Sequence, residues 1–445
     1  MENLSKNIAH SLSFLYETIS RRLHYFFQKE KPEPFSYPEI KLEEDNTPMH
    51  HFLLTHKVNM EEFIILLLGL TPHIQPNFLD TIIQEFLPNG GDFPEIGGVK
   101  GSNHRGTIPT GETALFIIGG NDMGKRMQVS LYFSPDHFFA KENILSLETV
   151  KEGEPRMSGR IILQPEYVDL FTTGIIAKPS FGPEFPARSV TTKMEWDDLV
   201  INPRSAQQIS DIKTWLQYNT TFMQEWGMDK RVRPGYRALF HGPSGTGKTL
   251  TATLLGKQFG LDVYRIDLSQ VVSKYIGETE KNLEKVFTKA EYRNWILFFD
   301  EADALFGKRS NVQSAHDKYA NQEVSYLLQR VEDFPGLVIL ASNFKSNIDQ
   351  AFLRRFNAII HFPMPNAAER LVLWRSAIPA KAMLADTIDL SVIASKYDLS
   401  GSAIVSVIHY ASLQTIARND TLIHRQDLIE GIRREYEKED RVFNL

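Results

Sequence analysis

Along residues 1–28, Ile8, Leu12, Leu15, Ile19, Leu23 and Phe26 fall on one stripe at helical spacing, while Lys6, Arg21 and Arg22 lie off it. The pattern predicts an amphipathic helix, docked either on its own domain or on a partner or interface. QKEKPEPFSYPEIKLEEDNTP then breaks the period, so residues 1–48 read as a helix and a linker. From 49 to 178 the pattern predicts an α+β domain, helical at first and then strand-rich around its glycines. Its longest apolar run, FIILLLGL at 63–70, is far short of the roughly 20 residues a membrane span needs and is expected in a core.

In ALFIIGGNDMGKRMQVSLYF, residues 114–133, Gly119, Gly124 and Lys125 have the spacing of a phosphate-binding loop. Arg126 stands where such a loop needs Ser or Thr, and Met127, Val129, Leu131 and Phe133 alternate with Gln128, Ser130 and Tyr132. That is the period of a strand, so a Gly-rich turn between two strands is predicted there. Three prolines in KPSFGPEFPARSVTTKMEW mark residues 179–195 as a linker. From 196 to 365, apolar strands alternate with amphipathic helices, the pattern of a parallel sheet covered on both faces. Residues 366–445 read as a small helical bundle without further strands.

The second half carries a phosphate loop in full. Gly242, Pro243, Ser244, Gly245, Thr246, Gly247, Lys248 and Thr249 satisfy G-x-x-x-x-G-K-[ST]. An apolar strand precedes the loop, and a proline-free helical run with Leu250, Leu254 and Leu255 follows it. Such a loop wraps phosphates with its amides, the lysine meets the β- and γ-phosphates, and the hydroxyl of Thr249 reaches Mg²⁺.

Composition narrows the rest. The 445 residues suit two or three domains, and the absence of cysteine excludes disulfides, thiolate metal sites and cysteine nucleophiles. A net charge of -6 offers no global attraction to nucleic acid or to anionic membrane. His50, His51 and His56 lack acidic partners at ligand spacing, so no metal site is expected from them. Glu2 and Asn3 stand where a signal peptide would carry positive charge, and a cytoplasmic location is expected.

Hydrolysis needs a carboxylate for the metal and a base for water. WILFFDEAD ends an apolar strand on Asp300, expected to hold Mg²⁺, and Glu301, expected to polarise the attacking water. LVILASN ends a second strand on Asn343, which would orient the same water, and AFLRRF adds Arg354 and Arg355 as charge-stabilising groups. No Asn-Lys-x-Asp guanine motif occurs, which disfavours GTP.

Taken in this order, Gly242 to Thr249, FFDEAD, ASN and AFLRRF resemble the AAA family of AAA+ ATPases over residues 196–445. The resemblance implies a P-loop AAA+ core with a C-terminal helical lid, using ATP and Mg²⁺ in a homo-hexameric ring. In that ring Arg354 and Arg355 would reach a neighbour's γ-phosphate. It also implies that Asp198, Leu199 and Val200 line the adenine pocket and that Gly401 and Ser402 of the lid lie near the base. SKYIGETEKNL resembles the first pore loop of protein-threading members, in which Lys274, Tyr275, Ile276 and Gly277 would grip a polypeptide; a second pore loop would fall at 307–318. A protein substrate, with neither nucleic acid nor membrane, is the partner so implied.

Two features depart from the family pattern: the paired arginines are adjacent, and EDF at 332–334 replaces Asp-Gly-Phe, which leaves the main finger and the signalling role of Asp333 open. The first domain, through PEIGGVKGSNHRGTIPTGETALFIIGG and FPARSVTTKMEWDDLVI, is similar to the ATPase of phage-tail-like extracellular contractile injection particles. That narrower resemblance implies a bacterial protein serving particle assembly or cargo loading, with residues 49–178 recognising partners. A nucleic-acid motor or loader, an assembly chaperone that does not thread, and an idle ring scaffold are the alternatives.

Overall fold

The computed structural model describes residues 2–28, 34–40, 47–88, 93–176, 178–179, 181–182, 185–268, 278–291, 293–302, 325–343 and 350–443. These fall into two compact units, Met1–Lys178 and Pro179–Leu445.

The first unit is mainly helical. Its opening helix, Glu2–Phe27, buries Leu15, Ile19 and Leu23 in the unit's own core, so the stripe is docked at home. The helix Met60–Ile74 is apolar on every side and buried from Phe63 to Leu70, as expected of a helix at the centre of a core. Asn59 caps it: its side chain accepts from the amide of Glu62, whose carboxylate in turn accepts from the Asn59 amide. The strands of this unit are short antiparallel pairs, β1 (Val99–Lys100) with β2 (Thr107–Ile108) and β3 (Leu145–Leu147) with β4 (Ile161–Leu163).

The hairpin predicted over 114–133 is not formed, and this unit is less strand-rich than its pattern suggests. Leu115–Gly119 is a wide helical turn, and Met123–Leu131 is an α-helix whose cap, Asp122, accepts from the Lys125 amide. The apparent alternation came from residues of different fates. Val129 and Phe133, four apart, face the core, whereas Met127 and Leu131 are 67% and 64% exposed.

The second unit is built on a six-stranded sheet: β5 (Arg188–Val190), β6 (Tyr236–His241), β7 (Val263–Asp267), β8 (Ile296–Asp300), β9 (Leu337–Ser342) and β10 (Ala358–His361). The spatial order is β10-β6-β9-β8-β7-β5, parallel throughout except for β5, which runs antiparallel to β7. Both faces are buried. Leu239, Leu297, Phe299, Val338 and Leu340 face one apolar cluster, and their neighbours Phe240, Ile296, Phe298 and Ile339 face the other. The expected mixed α/β core is therefore present.

Part of the segment 179–195, predicted as linker, belongs to this sheet. Arg188–Val190 forms its edge, and Phe185 packs edge-on to Tyr264 and Trp295. Beyond the sheet, the helices Ala367–Ala377, Leu390–Lys396, Gly401–Ala417 and Arg425–Lys438 gather around Trp374, Ile404, Val407, Leu428 and Ile432. This bundle also holds a two-residue parallel pair that the sequence pattern missed, β11 (Met383–Leu384) with β12 (Leu422–Ile423).

Candidate functional site

In an open parallel sheet, ligand groups collect at the carboxyl ends of the strands. Here that end brings together the residues following β6, β8 and β9. The order places β9 between the other two, and the register sets His241 beside Ser342 and Phe299 beside Leu340, so the three strands finish level.

The loop after β6 is pinned at its start, where the Gly242 amide donates to the Ser342 carbonyl at 3.2 Å. A side chain at Gly242, whose φ is 146°, would sit 2.0 Å from the Phe362 carbonyl oxygen. Only glycine allows that approach. The helix Lys248–Phe259 starts directly from the loop, aiming its first-turn amides and the positive end of its dipole back at it. Lys248 is 8% exposed, and its ammonium donates to the carbonyls of Gly242 (2.5 Å) and Pro243 (2.9 Å) and to Asn343 Oδ1 (3.2 Å). An ammonium at the start of a helix, beside a glycine-rich loop, is suited to an anion. Thr249, the next residue, is half-buried, and Pro243 and Ser244 are exposed.

The acids sit two strands away from the loop. Asp300 closes β8, and its carboxylate accepts from the Glu301 amide at 3.0 Å and pairs with the Arg265 guanidinium at 2.8 Å. Glu301 is exposed and adopts φ 53°, a left-handed conformation that costs a non-glycine residue energy. The next residue resumes the ladder, the Ala302 amide donating to Ala341. Glu301 is thus fixed between two anchored neighbours. Sequence reasoning missed Arg265; the signal was a lone cation between Tyr264 and Ile266 in the strand Val263–Asp267.

Beside the loop lies a cavity of about 250 Å³, mostly apolar, between the sheet and the helical bundle. It is lined by Asp198, Leu199 and Val200, by Gly245 and Gly247 of the loop, and by Gly401, Ser402 and Val405 of the bundle. Phe362, Pro363 and Pro365, not singled out from the sequence, complete it. The volume is just under the roughly 300–1,000 Å³ of whole small-molecule sites, which suits the base of a nucleotide with its phosphates lying over the loop. The Ser402 amide donates to the Gly245 carbonyl at 3.2 Å, so bundle and loop are joined by backbone.

Arg354 and Arg355 are not part of this assembly. They precede β10, whose first residue pairs with Ala238 near the amino end of β6, whereas the loop leaves its carboxyl end. Arg355 pairs with Glu332, which also binds Arg233, and the Glu332 carbonyl accepts from Arg237 at 2.8 Å. Arg354 is exposed. Lys274, Tyr275, Ile276, Gly277 and the 307–318 segment lie outside the described residues.

Thr249 and Asp300 offer a hydroxyl and a carboxylate, the hard oxygen donors Mg²⁺ takes alongside water and phosphate, so the residues fit the ion. Asp300 keeps acceptor capacity beyond its two contacts. Among the described residues no cluster of three or more His, Cys, Asp or Glu side chains forms an all-protein metal cage, and no helix is long and apolar enough to cross a membrane.

Comparison with known proteins places this geometry. Residues 238–364 match the model of the ATPase family associated with various cellular activities, AAA. A 26S proteasome regulatory subunit 6B homolog of Dictyostelium discoideum is 31% identical over 222 residues, 48% of this chain and 55% of its own. A proteasome-activating nucleotidase of Aeropyrum pernix is 33% identical over 222 residues, 48% of this chain and 53% of its own. An uncharacterized AAA family ATPase of Sinorhizobium fredii is 37% identical over 134 residues, 30% of this chain and 40% of its own. The chain spans about half the length of these curated relatives, or less.

Proposed function

From the premise of an AAA-family ATPase domain at residues 238–364, we propose that the chain is a ring-forming ATP hydrolase that couples turnover to remodelling or threading of a protein substrate. The observation that carries the reading is the convergence of Lys248, Asn343, Asp300 and Glu301 at one end of the sheet, next to a base-sized apolar cavity. Lys248 and the helix amides hold the phosphates, and Thr249 and Asp300 hold Mg²⁺. When bound, the metal neutralises charge on the transferring phosphoryl group. Glu301 accepts the proton of the attacking water, and Asn343, tied to Lys248, orients that water.

Arg354 and Arg355 act on a neighbour's nucleotide. About four residues of strand, at about 3.3 Å each, separate them from the loop of their own chain, too far for contact with their own γ-phosphate. A ring follows, six-membered on the family pattern. Protein is the favoured substrate because two matched relatives are named for a proteasome, and because Tyr275 and Ile276 resemble a gripping pore loop. The bacterial and cytoplasmic setting, residues 49–178 as the part that recognises partners, and service to a contractile injection particle as assembly or loading factor extend the same reading. They rest on the resemblance of the first unit.

The test is the Glu301→Gln protein, which should bind ATP and Mg²⁺ yet hydrolyse about 10²–10⁴-fold more slowly. Cross-linked in cells, it should trap protein, including particle components or cargo. Wild-type turnover in the variant, or trapping of nucleic acid instead, rejects the proposal.

A further inference from the structure

In the first unit, the helix Glu2–Phe27 buries a charge that no acid meets. Arg22 is 5% exposed, and its Nε and Nη2 donate to the carbonyls of Ile117 (2.8 Å) and Ile118 (2.7 Å). The Phe35 ring covers the guanidinium, with 3.5 Å from Cζ to the ring centroid. Nη1 has no acceptor among the described residues, and Arg22 lines a cavity of about 480 Å³, a volume usual for small-ligand sites. Gly120, φ 55°, keeps space at Nη1, since a Cβ there would stand 2.8 Å from it. Burial disfavours the Arg22 charge, and no carboxylate among the described residues offsets it.

The other charges of this cavity are engaged. Glu61 pairs with Lys125 and accepts from the Tyr132 hydroxyl at 2.9 Å. Asp122, exposed to water, accepts from the Lys125 amide at 3.1 Å as the cap of the helix Met123–Leu131. Tyr37 bonds no acceptor among the described residues; burial, and after it Glu61, push its hydroxyl up to about 12, so it keeps a proton to donate. Tyr37, Glu61 and Lys125 also line a second cavity of about 540 Å³, which makes the two one cleft. Met60 and Leu131 give its outer part an apolar lining. Met123, Met127 and Leu131, spaced by four, continue that surface along the exposed side of their helix.

We propose that this cleft takes the C-terminus of a polypeptide. The terminal carboxylate accepts from Arg22 Nη1 and from the Tyr37 hydroxyl, and the residues before it cross into the outer cavity with apolar side chains against Met60 and Leu131. The inference rests on the reading of residues 49–178 as the part that recognises partners, which Arg22 and Tyr37 complete. Two observations choose the occupant. A buried guanidinium without an acid is matched by one carboxylate, charge for charge. A small free acid would fill the inner cavity alone and leave the outer cavity and the Met127 and Leu131 surface bare, whereas a chain covers all three.

The experiment uses the full chain without nucleotide and an array of dye-labelled octapeptides varied at their last two positions, each made as the free acid and as the C-terminal amide. Acids with apolar ends should bind, and their amides about 10–100-fold more weakly. Arg22 also holds two carbonyls, so the variants are Tyr37→Phe and Leu131→Glu. Each should weaken the acids about 3–10-fold and leave basal ATP turnover within about twofold; Tyr37→Phe should leave the amides unaffected, which a merely structural role would not. Acids and amides that bind alike overturn the proposal, as do variants that bind the acids like wild type. N-acetylleucine bound as tightly as the peptides also overturns it, assigning the cleft to a small acid. Absence of any peptide binding overturns it too; cross-links from residues 49–178 to cellular proteins would then keep the recognition reading, and their absence would end both.

Discussion

The Lys248 ammonium donates to Asn343 Oδ1 across 3.2 Å, joining the loop that follows β6 to the residue that ends β9. The side chain proposed to meet phosphate and the one proposed to orient water are therefore in contact. Lys248→Ala should weaken ATP binding at least about tenfold and abolish turnover. Asn343→Ala should bind ATP nearly as wild type yet turn over about 10²-fold more slowly. Separate measurement of nucleotide affinity and single-turnover rate distinguishes the two; equal loss of affinity in both would show that the asparagine serves only to hold the lysine.

Arg265 faces the carboxylate proposed to hold the metal, with 2.8 Å between Arg265 Nη2 and Asp300 Oδ2. Partners behind a metal ligand commonly contribute about 10–100-fold to metal affinity. Arg265→Gln should therefore raise the Mg²⁺ concentration needed for half-maximal ATP binding about tenfold, leaving metal-free ADP binding unchanged. Titrating Mg²⁺ against fluorescent nucleotide tests this, and an unchanged midpoint would reduce the pair to a surface contact.

At Gly245, φ 74°, an added Cβ would fall 1.9 Å from Ser402 Oγ and 2.7 Å from Ser400 Oγ. Gly245→Ala should push the bundle off the loop and strain the backbone by about 1–3 kcal/mol. Faster hydrogen exchange at residues 400–405 and a weaker ADP complex are expected, with the first unit unaffected.

The bundle should loosen in acid. Arg418 holds the Asp427 carboxylate through bonds of 2.9 and 2.6 Å, and the His424 amide adds a third at 3.2 Å. The guanidinium is the main reason the Asp427 carboxyl titrates below its ordinary 3.8. A depressed folded value means that the stabilisation is complete above the unfolded value and is lost as pH falls from about 4 through the folded one. Thermal melting of the bundle should steepen its pH dependence below about pH 4, and Asp427→Asn should flatten it.

For the arginines, Glu332 makes a distinction: it binds Arg355 and leaves Arg354 exposed. Arg354→Ala should lose turnover that returns, in part, when mixed with Glu301→Gln subunits, because some interfaces then pair an intact base with an intact arginine. Glu332→Gln should lower turnover less, by freeing Arg355. No recovery in mixed rings would argue against action between subunits.

What could be read from the chain follows from how local each signal is. The loop from Gly242 to Thr249 and the strands ending in Asp300 and Asn343 announce themselves because each needs a fixed local pattern. The segment 123–131 misled because Met127 and Leu131, apolar yet exposed, imitate a strand's alternation beside the inward Val129 and Phe133. β11 and β12 are two residues each, too short to leave a period, and β5 hides among prolines. The Arg265–Asp300 and Glu332–Arg355 pairs join distant positions, so neither carries a local mark.

The short strand Arg188–Val190 has a consequence for anyone dividing the protein. It pairs with Val263–Asp267 along the rim of the sheet, and Phe185 just before it covers Tyr264 and Trp295. A fragment cut at residue 196, where the nucleotide-binding pattern begins, would bare the backbone donors and acceptors of β7 and an aromatic pair beneath them. Such a rim recruits strands from other molecules, so the fragment should precipitate where one beginning at about residue 179 stays in solution. The smallest portable piece of the second unit therefore includes sequence that looks like mere tether.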